Sequence, residues 1–275
     1  MYVSTRLGRW YYEEHGKARR EGDAAIVLWP SFMTDGGMWD EQVGPLSSEG
    51  RVLVFDPPGH GKSETPPPFS LDDNARALLD ALDALGVKRF VHCGLSWGGM
   101  IGMRLAVLAP ERVAALALFD TSAAPEQPRN RVQYRAMLST FRRVGLPRML
   151  AEWRILPKFF SAETLRQRPE LARRFWNDAV GFTREGVYKS GKAIFQRGDF
   201  RDELSKVRAP TLVACGEEDS ATPPERSREI ASRIAGAELA MIPRAGHLCT
   251  IEQPAAVNAK LVPFVRGHIS GHLGT

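Results

Sequence analysis

Short, almost uninterrupted apolar runs recur along the chain, with helix-like periodicity between them. The runs are Ala25–Trp29, Val52–Phe55, Phe90–Cys93, Val113–Phe119, Thr211–Cys215 and Leu239–Ile242. A strand with one wet face alternates apolar and polar residues, whereas a strand covered on both faces reads as continuously apolar. The pattern therefore predicts an α/β fold, a mostly parallel central sheet flanked by helices. Ahead of these runs, Tyr2–Leu7 and Trp10–Glu14 flank Gly8 and predict a hairpin.

The helical stretches have recognisable ends. Leu71–Leu85 carries apolar residues at 71, 75, 78, 79, 82 and 85, one face of a helix, and Gly86 follows as a stop. Trp97–Ala109 lies between a strand and Pro110. Pro224–Ile234 and Pro254–Val265 both open on proline, which suits a first helical turn because its missing N–H is not needed there. The tail from Gly267 holds three glycines and is expected to fray.

One stretch breaks the alternation. From about Pro125 to Arg208 no run reads as a strand, and helix-like segments are cut by Pro147, Pro157 and Pro169. It is also basic: between Pro128 and Trp176 there are twelve Arg or Lys against three Glu. The expected organisation is a core domain, residues 1–124 and 209–275, interrupted by a helical cap, 125–208.

Composition narrows the class. At 275 residues the chain suits one large α/β domain, and 43% apolar with 25% charged residues excludes a disordered chain. Cys93, Cys215 and Cys249 form no CxxC pair, so they read as buried small hydrophobes rather than disulfides or metal ligands. A net charge of +5 is too small to imply nucleic-acid binding. No apolar run approaches the ~18 residues of a membrane span, and the first residues lack a signal peptide's apolar core. A cytoplasmic protein with no membrane partner is expected.

The sharpest chemical signal is Gly94-Leu95-Ser96-Trp97-Gly98-Gly99, a G-x-S-x-G pattern with a strand before it and a helix after it. A sharp strand-to-helix turn crowds the backbone and demands glycines around the serine. It lifts the hydroxyl to the helix N-terminus, where backbone N–H groups can hold an oxyanion. A serine hydroxyl is a weak nucleophile and needs a base oriented by a third group. In the order serine, acid, histidine, the partners are Asp219 and His247, each just past a late strand. Asp120, Glu217 and Glu218 are rival acids. His60 reads as a turn residue, His92 as core, and His15, His268 and His272 as surface or tail. No H-E-x-x-H, paired cysteines or G-x-G-x-x-G opening a helix occurs, so neither a metal nor a nucleotide cofactor is expected.

These residues resemble the α/β-hydrolase superfamily along almost the whole chain. The matching segments include Met38-Trp39-Asp40, Asp56-Pro57-Pro58-Gly59-His60-Gly61-Lys62-Ser63, Phe119-Asp120-Thr121-Ser122-Ala123, Ala221-Thr222-Pro223-Pro224, and His247-Leu248 followed by Glu252-Gln253-Pro254. The likeness is to the branch of 3-oxoadipate enol-lactonases, carboxylesterases and perhydrolases. Pro30-Ser31 stands where the usual His-Gly is found, Trp97 where enol-lactonases carry Met, and only Trp153-Arg154-Ile155 where their cap has Arg-Trp-Phe. The resemblance implies a serine hydrolase cleaving a small carboxylic ester or lactone. Ser96, His247 and Asp219 would be catalytic, and the backbone N–H groups of Phe32 and Trp97 would form the oxyanion hole. The Trp97 ring is expected to fill part of the pocket. A perhydrolase or cofactor-free haloperoxidase, a C–C bond hydrolase and a ligand receptor on the same fold are the competing readings.

Overall fold

The computed structural model describes residues 1–145, 149 and 151–270. Eight strands of the described residues form one sheet: β1 (Tyr2–Thr5), β2 (Gly8–His15), β3 (Ala25–Trp29), β4 (Val52–Phe55), β5 (Phe90–Leu95), β6 (Val113–Phe119), β7 (Thr211–Gly216) and β8 (Glu238–Ile242). Their order is β1-β2-β4-β3-β5-β6-β7-β8. β1–β2 and β2–β4 pair antiparallel, and every pairing from β4 onward is parallel. Every residue of β3, β4, β5 and β7 is buried, which accounts for their unbroken apolar sequences. β8, at the sheet edge, exposes its first two residues.

The hairpin turn falls earlier than Gly8. Thr5 pairs directly with Gly8, so Arg6-Leu7 makes the turn. The Thr5 hydroxyl closes it, accepting from Leu7 N at 3.0 Å and donating to Gly8 O at 2.9 Å. Gly8 then opens β2 at φ +104°, which a side chain would resist.

Helices cover the sheet. α1 (Asp40–Ser47) is absent from the sequence reading, because Gly44 and Pro45 argue against a helix; burial of Gln42 and Leu46 holds it. α2 (Leu71–Ala84) buries Leu71, Ala75, Leu78 and Leu82 and starts in a reciprocal Ser70–Asp73 capping box. α3 (Trp97–Leu108) is buried from Trp97 to Ala106.

Between β6 and β7 the described residues contain helices and no strand. They are α4 (Pro128–Val144), a π-helical turn (Ala151–Ile155), α5 (Leu156–Phe159), α6 (Ala162–Gln167), α7 (Pro169–Gly181) and α8 (Arg184–Phe195), with a 3₁₀ turn at Asp202–Lys206. Pro157 and Pro169 start helices rather than break them. Pro147 and His272 lie outside the described residues. The two ends of this excursion meet: Phe200 N donates to Ala123 O at 2.9 Å, and the buried Arg197 donates to Ala124 O and pairs with Glu126, both at 3.0 Å. After β7 come α9 (Pro224–Arg233), α10 (Cys249–Glu252) and α11 (Pro254–His268). No described helix is long and apolar enough to cross a membrane.

The chain runs from β3 out to β4 and then back to β5 on the other side of β3. A crevice opens at the carboxyl ends of the strands where the order reverses, here between β3 and β5. Ser31-Phe32 and Ser96 lie at those two ends.

Candidate active site

β5 ends at Leu95 and α3 begins at Trp97, so Ser96 alone makes the reversal, at φ +55° and ψ −103°. Few residues other than glycine take a positive φ, and one that does is held by its surroundings. Here Ser96 N donates to Phe119 O at 2.8 Å, and Thr121 Oγ1 donates to Ser96 O at 2.7 Å. The glycines let the turn close: a Cβ on Gly94 would lie 2.2 Å from the Gly98 carbonyl carbon, and one on Gly98 would lie 2.3 Å from Trp29 O.

The loop after β3 is also constrained. Thr34 Oγ1 donates to Ser31 O at 2.9 Å, and Met33 holds φ +62°. Among the described residues, neither Phe32 N nor Trp97 N has a hydrogen-bond acceptor. Trp97 N belongs to the first helical turn, whose donors lack intrahelical partners. Two free N–H groups thus flank the candidate nucleophile.

Asp219 lies three residues past β7 and is almost fully buried. Its Oδ1 accepts from Ala221 N (2.8 Å) and Thr222 N (3.0 Å); its Oδ2 accepts from Thr222 Oγ1 (2.7 Å) and His247 Nδ1 (3.0 Å). Burial alone would raise its pKa, but the His247 charge and these donors outweigh it and hold Asp219 below the usual carboxylate range. For His247, burial disfavours the charged ring, yet the Asp219 carboxylate prevails and its pKa lies above the ordinary histidine value. With Asp219 accepting, Nδ1 carries the proton and Nε2 keeps its lone pair. No hydrogen bond joins Ser96 Oγ to the imidazole in this structure. Apo serine–histidine pairs are often looser than their substrate complexes.

Asp120 takes no part in this pairing. It is fully buried at φ +43°, and its Oδ1 accepts from Gly216 N at 2.8 Å. Burial, reinforced by the nearby Asp219 charge, pushes its pKa well up. Asp120, Cys215 and Asp219 place their ligand atoms within 4.8 Å of one another. Burial pushes the Cys215 thiol well up and keeps it protonated, and both Asp219 oxygens are already engaged, so this donor set does not suit a metal ion. Glu217 and Glu218 point to solvent. All three cysteines are free and buried.

Ser96 and His247 open into one cavity of about 110 Å³. Ser31, Phe32, Met33 and Met100 line it from the core; Tyr134, Ile155, Phe159 and Phe195 line it from the helices between β6 and β7. Tyr134 and Phe195 stack at 4.1 Å, and Phe159 packs edge-on to the His247 ring at 5.5 Å. Three cations, Arg154, Lys158 and Arg197, also reach the lining. A larger cleft of about 720 Å³ between the start of α2 and α8 contains neither Ser96 nor His247.

The Trp97 ring does not enter the cavity. It is fully buried among Trp29, Phe69 and His60, because the first residue of α3 directs its side chain into the core. His60 and His92 are buried neutral rings, both lowered to about 4 by burial. Sequence reasoning missed Thr222 as the clamp on Asp219, although an Asp followed three residues later by Thr is a turn signal. It also missed the aromatic roof, whose contacts no sequence spacing announces.

A mostly parallel sheet carrying this serine turn at its reversal point, with a histidine and a buried aspartate from later strand ends, marks a hydrolase. The α/β-hydrolase fold family matches residues 24–254, and the chain belongs to it. The 3-oxoadipate enol-lactonase 2 of Acinetobacter baylyi is 27% identical over 248 residues, 90% of this chain and 89% of that protein. The enol-lactonase from Burkholderia xenovorans LB400 superposes with a TM-score of 0.88 at 32% identity, covering 96% of this chain and 99% of that one. A thermophilic esterase from Thermogutta terrifontis, malate bound, gives 0.90 at 29% identity, covering 98% and 100%.

Proposed function

We propose that the protein cleaves a small carboxylic ester or lactone through an acyl-enzyme on Ser96. The observation that carries this reading is the 3.0 Å Asp219–His247 hydrogen bond beside a cavity shared with Ser96. Ser96 Oγ attacks the substrate carbonyl while His247 Nε2 takes its proton, and Asp219 stabilises the resulting imidazolium. The carbonyl oxygen becomes an oxyanion held by the N–H groups of Phe32 and Trp97. As the tetrahedral intermediate collapses, the C–O bond to the alkoxide breaks and His247 returns the proton to it. A water molecule, deprotonated by His247, then releases the acid and restores Ser96.

Lactonase and esterase relatives support the acyl substrate, and the small cavity favours a short acyl group or ring. Residues 125–208 would act as the cap that selects it. Arg154 on this roof favours a polar or anionic small molecule over an oil interface.

The test uses a chromogenic acetate ester, a short lactone and a long triglyceride at one pH. The expected result is a burst of one alcohol per Ser96, cleavage of both small substrates, and phosphonate labelling of Ser96. Ser96→Ala should lower turnover by roughly 10⁴–10⁶. Full activity in folded Ser96→Ala protein would end the acyl-enzyme reading, while peroxide-dependent oxidation without ester cleavage would favour the perhydrolase alternative.

A further inference from the structure

Glu252, the last residue of α10, is 1% exposed. Its Oε1 accepts from Gly246 N at 2.8 Å, and its Oε2 accepts from Ser161 N at 2.9 Å. Gly246 immediately precedes His247, and Ser161 caps the start of α6 in the helical excursion. One carboxylate therefore grips the histidine loop with one oxygen and the roof with the other. Two further links run alongside: Leu248 N donates to Phe159 O at 3.0 Å, and the Arg168 guanidinium donates to the Glu252 backbone oxygen. Only backbone fits between the two segments, since a Cβ on Gly246 would lie 2.6 Å from Ser161 N.

A buried carboxylate that meets no cation among the described residues is costly to keep. A glutamine would fill the same space but offer one acceptor instead of two. The charged and titratable groups facing His247 are Asp219, Asp120 and Glu252, with the Cys249 and Cys215 thiols beside Asp120. Lys158 is spent on Ser220 O and Arg168 on backbone.

We propose that Glu252 is a positioning residue for His247, fixing the histidine loop to the roof and placing a second negative charge near the imidazole. The role rests on the acyl-enzyme reading above, but its physical core does not need turnover to be observed. Negative charge near the ring favours imidazolium, so removing it lets His247 lose its proton at lower pH.

The test follows the His247 ring by NMR titration and, separately, kcat and KM on a chromogenic ester. Glu252→Gln is expected to move the His247 titration to lower pH, and Glu252→Asp, which keeps the charge, to leave it near the wild-type position. An unmoved titration in folded Glu252→Gln protein overturns the charge role. The clamp is read on Ser161, whose φ of −64° proline accepts. Ser161→Ala removes only the hydroxyl, whereas Ser161→Pro also removes the N–H. The proline variant should lose roughly 10-fold more kcat than the alanine variant, with KM within about 2-fold. Equal kcat in the two overturns the clamp. Wild-type protein without ester turnover, but with the titration shift present, would instead count against the acyl-enzyme reading.

Discussion

Replacing Asp219 by Asn tests the assignment of the acid at almost constant shape. The Asn Oδ1 can still accept from Ala221 N and Thr222 N, at 2.8 and 3.0 Å in the parent, so the turn should survive. The other oxygen becomes an NH₂, which faces the Thr222 hydroxyl and His247 Nδ1 at 2.7 and 3.0 Å. The hydroxyl can rotate to accept. The ring can accommodate a donor only by moving its own proton to Nε2, which then cannot receive one from Ser96. Wrong-tautomer trapping costs about 10⁴ in kcat, or about 5.5 kcal/mol of transition-state stabilisation. The acid limb of kcat/KM should also move to lower pH, because the carboxylate that raises the His247 pKa is gone. Asp120→Asn is the control: burial already disfavours the charged form of Asp120 and its contact to Gly216 N needs one oxygen, so activity should stay within about 3-fold. Both variants would be assayed for kcat on a chromogenic ester and for thermal stability. An inactive Asp120→Asn beside a nearly normal Asp219→Asn would refute the reasoning.

Gly94→Ala should destabilise the fold by at least about 3 kcal/mol, because its methyl meets backbone at 2.2 Å rather than a side chain that can move; chemical denaturation measures it. The buried His60 and His92 should make stability fall on acidification between pH 6.5 and about 4, by an amount that His60→Gln and His92→Gln variants remove. In that window unfolded His60 and His92 bind protons that the folded, neutral rings refuse, worth up to about 3 kcal/mol each. Asp56, raised to about 6 by burial, and Asp120, raised by burial and the Asp219 charge, work in the opposite direction, and the urea midpoint of the parent set beside those of Asp56→Asn and Asp120→Asn at pH 7 and pH 4.5 separates the two contributions. Phe195→Ala removes half of the stacked roof and should shift preference toward esters two methylenes longer by roughly 10-fold in kcat/KM, read on an acyl-chain series.

The sheet was legible because burial on both faces writes itself into sequence as unbroken apolar runs, and β3 to β8 fall within one or two residues of those runs. The serine turn was legible for a steric reason, since glycines are needed where Cβ atoms would strike backbone. What escaped depends on contacts distant in sequence. α1 forms through burial of Gln42, which reaches Thr250 O at 3.2 Å, against its own Gly-Pro pair. Trp97 turned inward because Trp29 and His60 offered it a packed site, which its place after Ser96 could not reveal. Chain order alone ranked Asp219 over Asp120, and the hydrogen bond between His247 Nδ1 and Asp219, which spans 28 residues of sequence, is a contact that no local pattern announces.

The hydrogen bond from Phe200 to Ala123 makes the helical excursion a closed parenthesis in the chain. Residues close to its two ends are neighbours, so the sheet experiences most of the segment as one short connection. Loop-closure entropy grows only with the logarithm of length, so lengthening or shortening the excursion changes the free energy of the core little. Ser96, Asp219 and His247 all stand outside the bracket, on strand ends whose ladder does not depend on what it contains. Residues inside the bracket that do not touch the histidine loop can be exchanged with less consequence than Phe159 and Ser161, which bond to Leu248 and Glu252. The excursion and the core therefore meet at several places, the Phe200–Ala123 bond, the Glu252 bridge to Ser161, the Leu248–Phe159 bond and the Ser190–Pro58 bond, and an exchange that preserves these leaves the histidine loop where it stands.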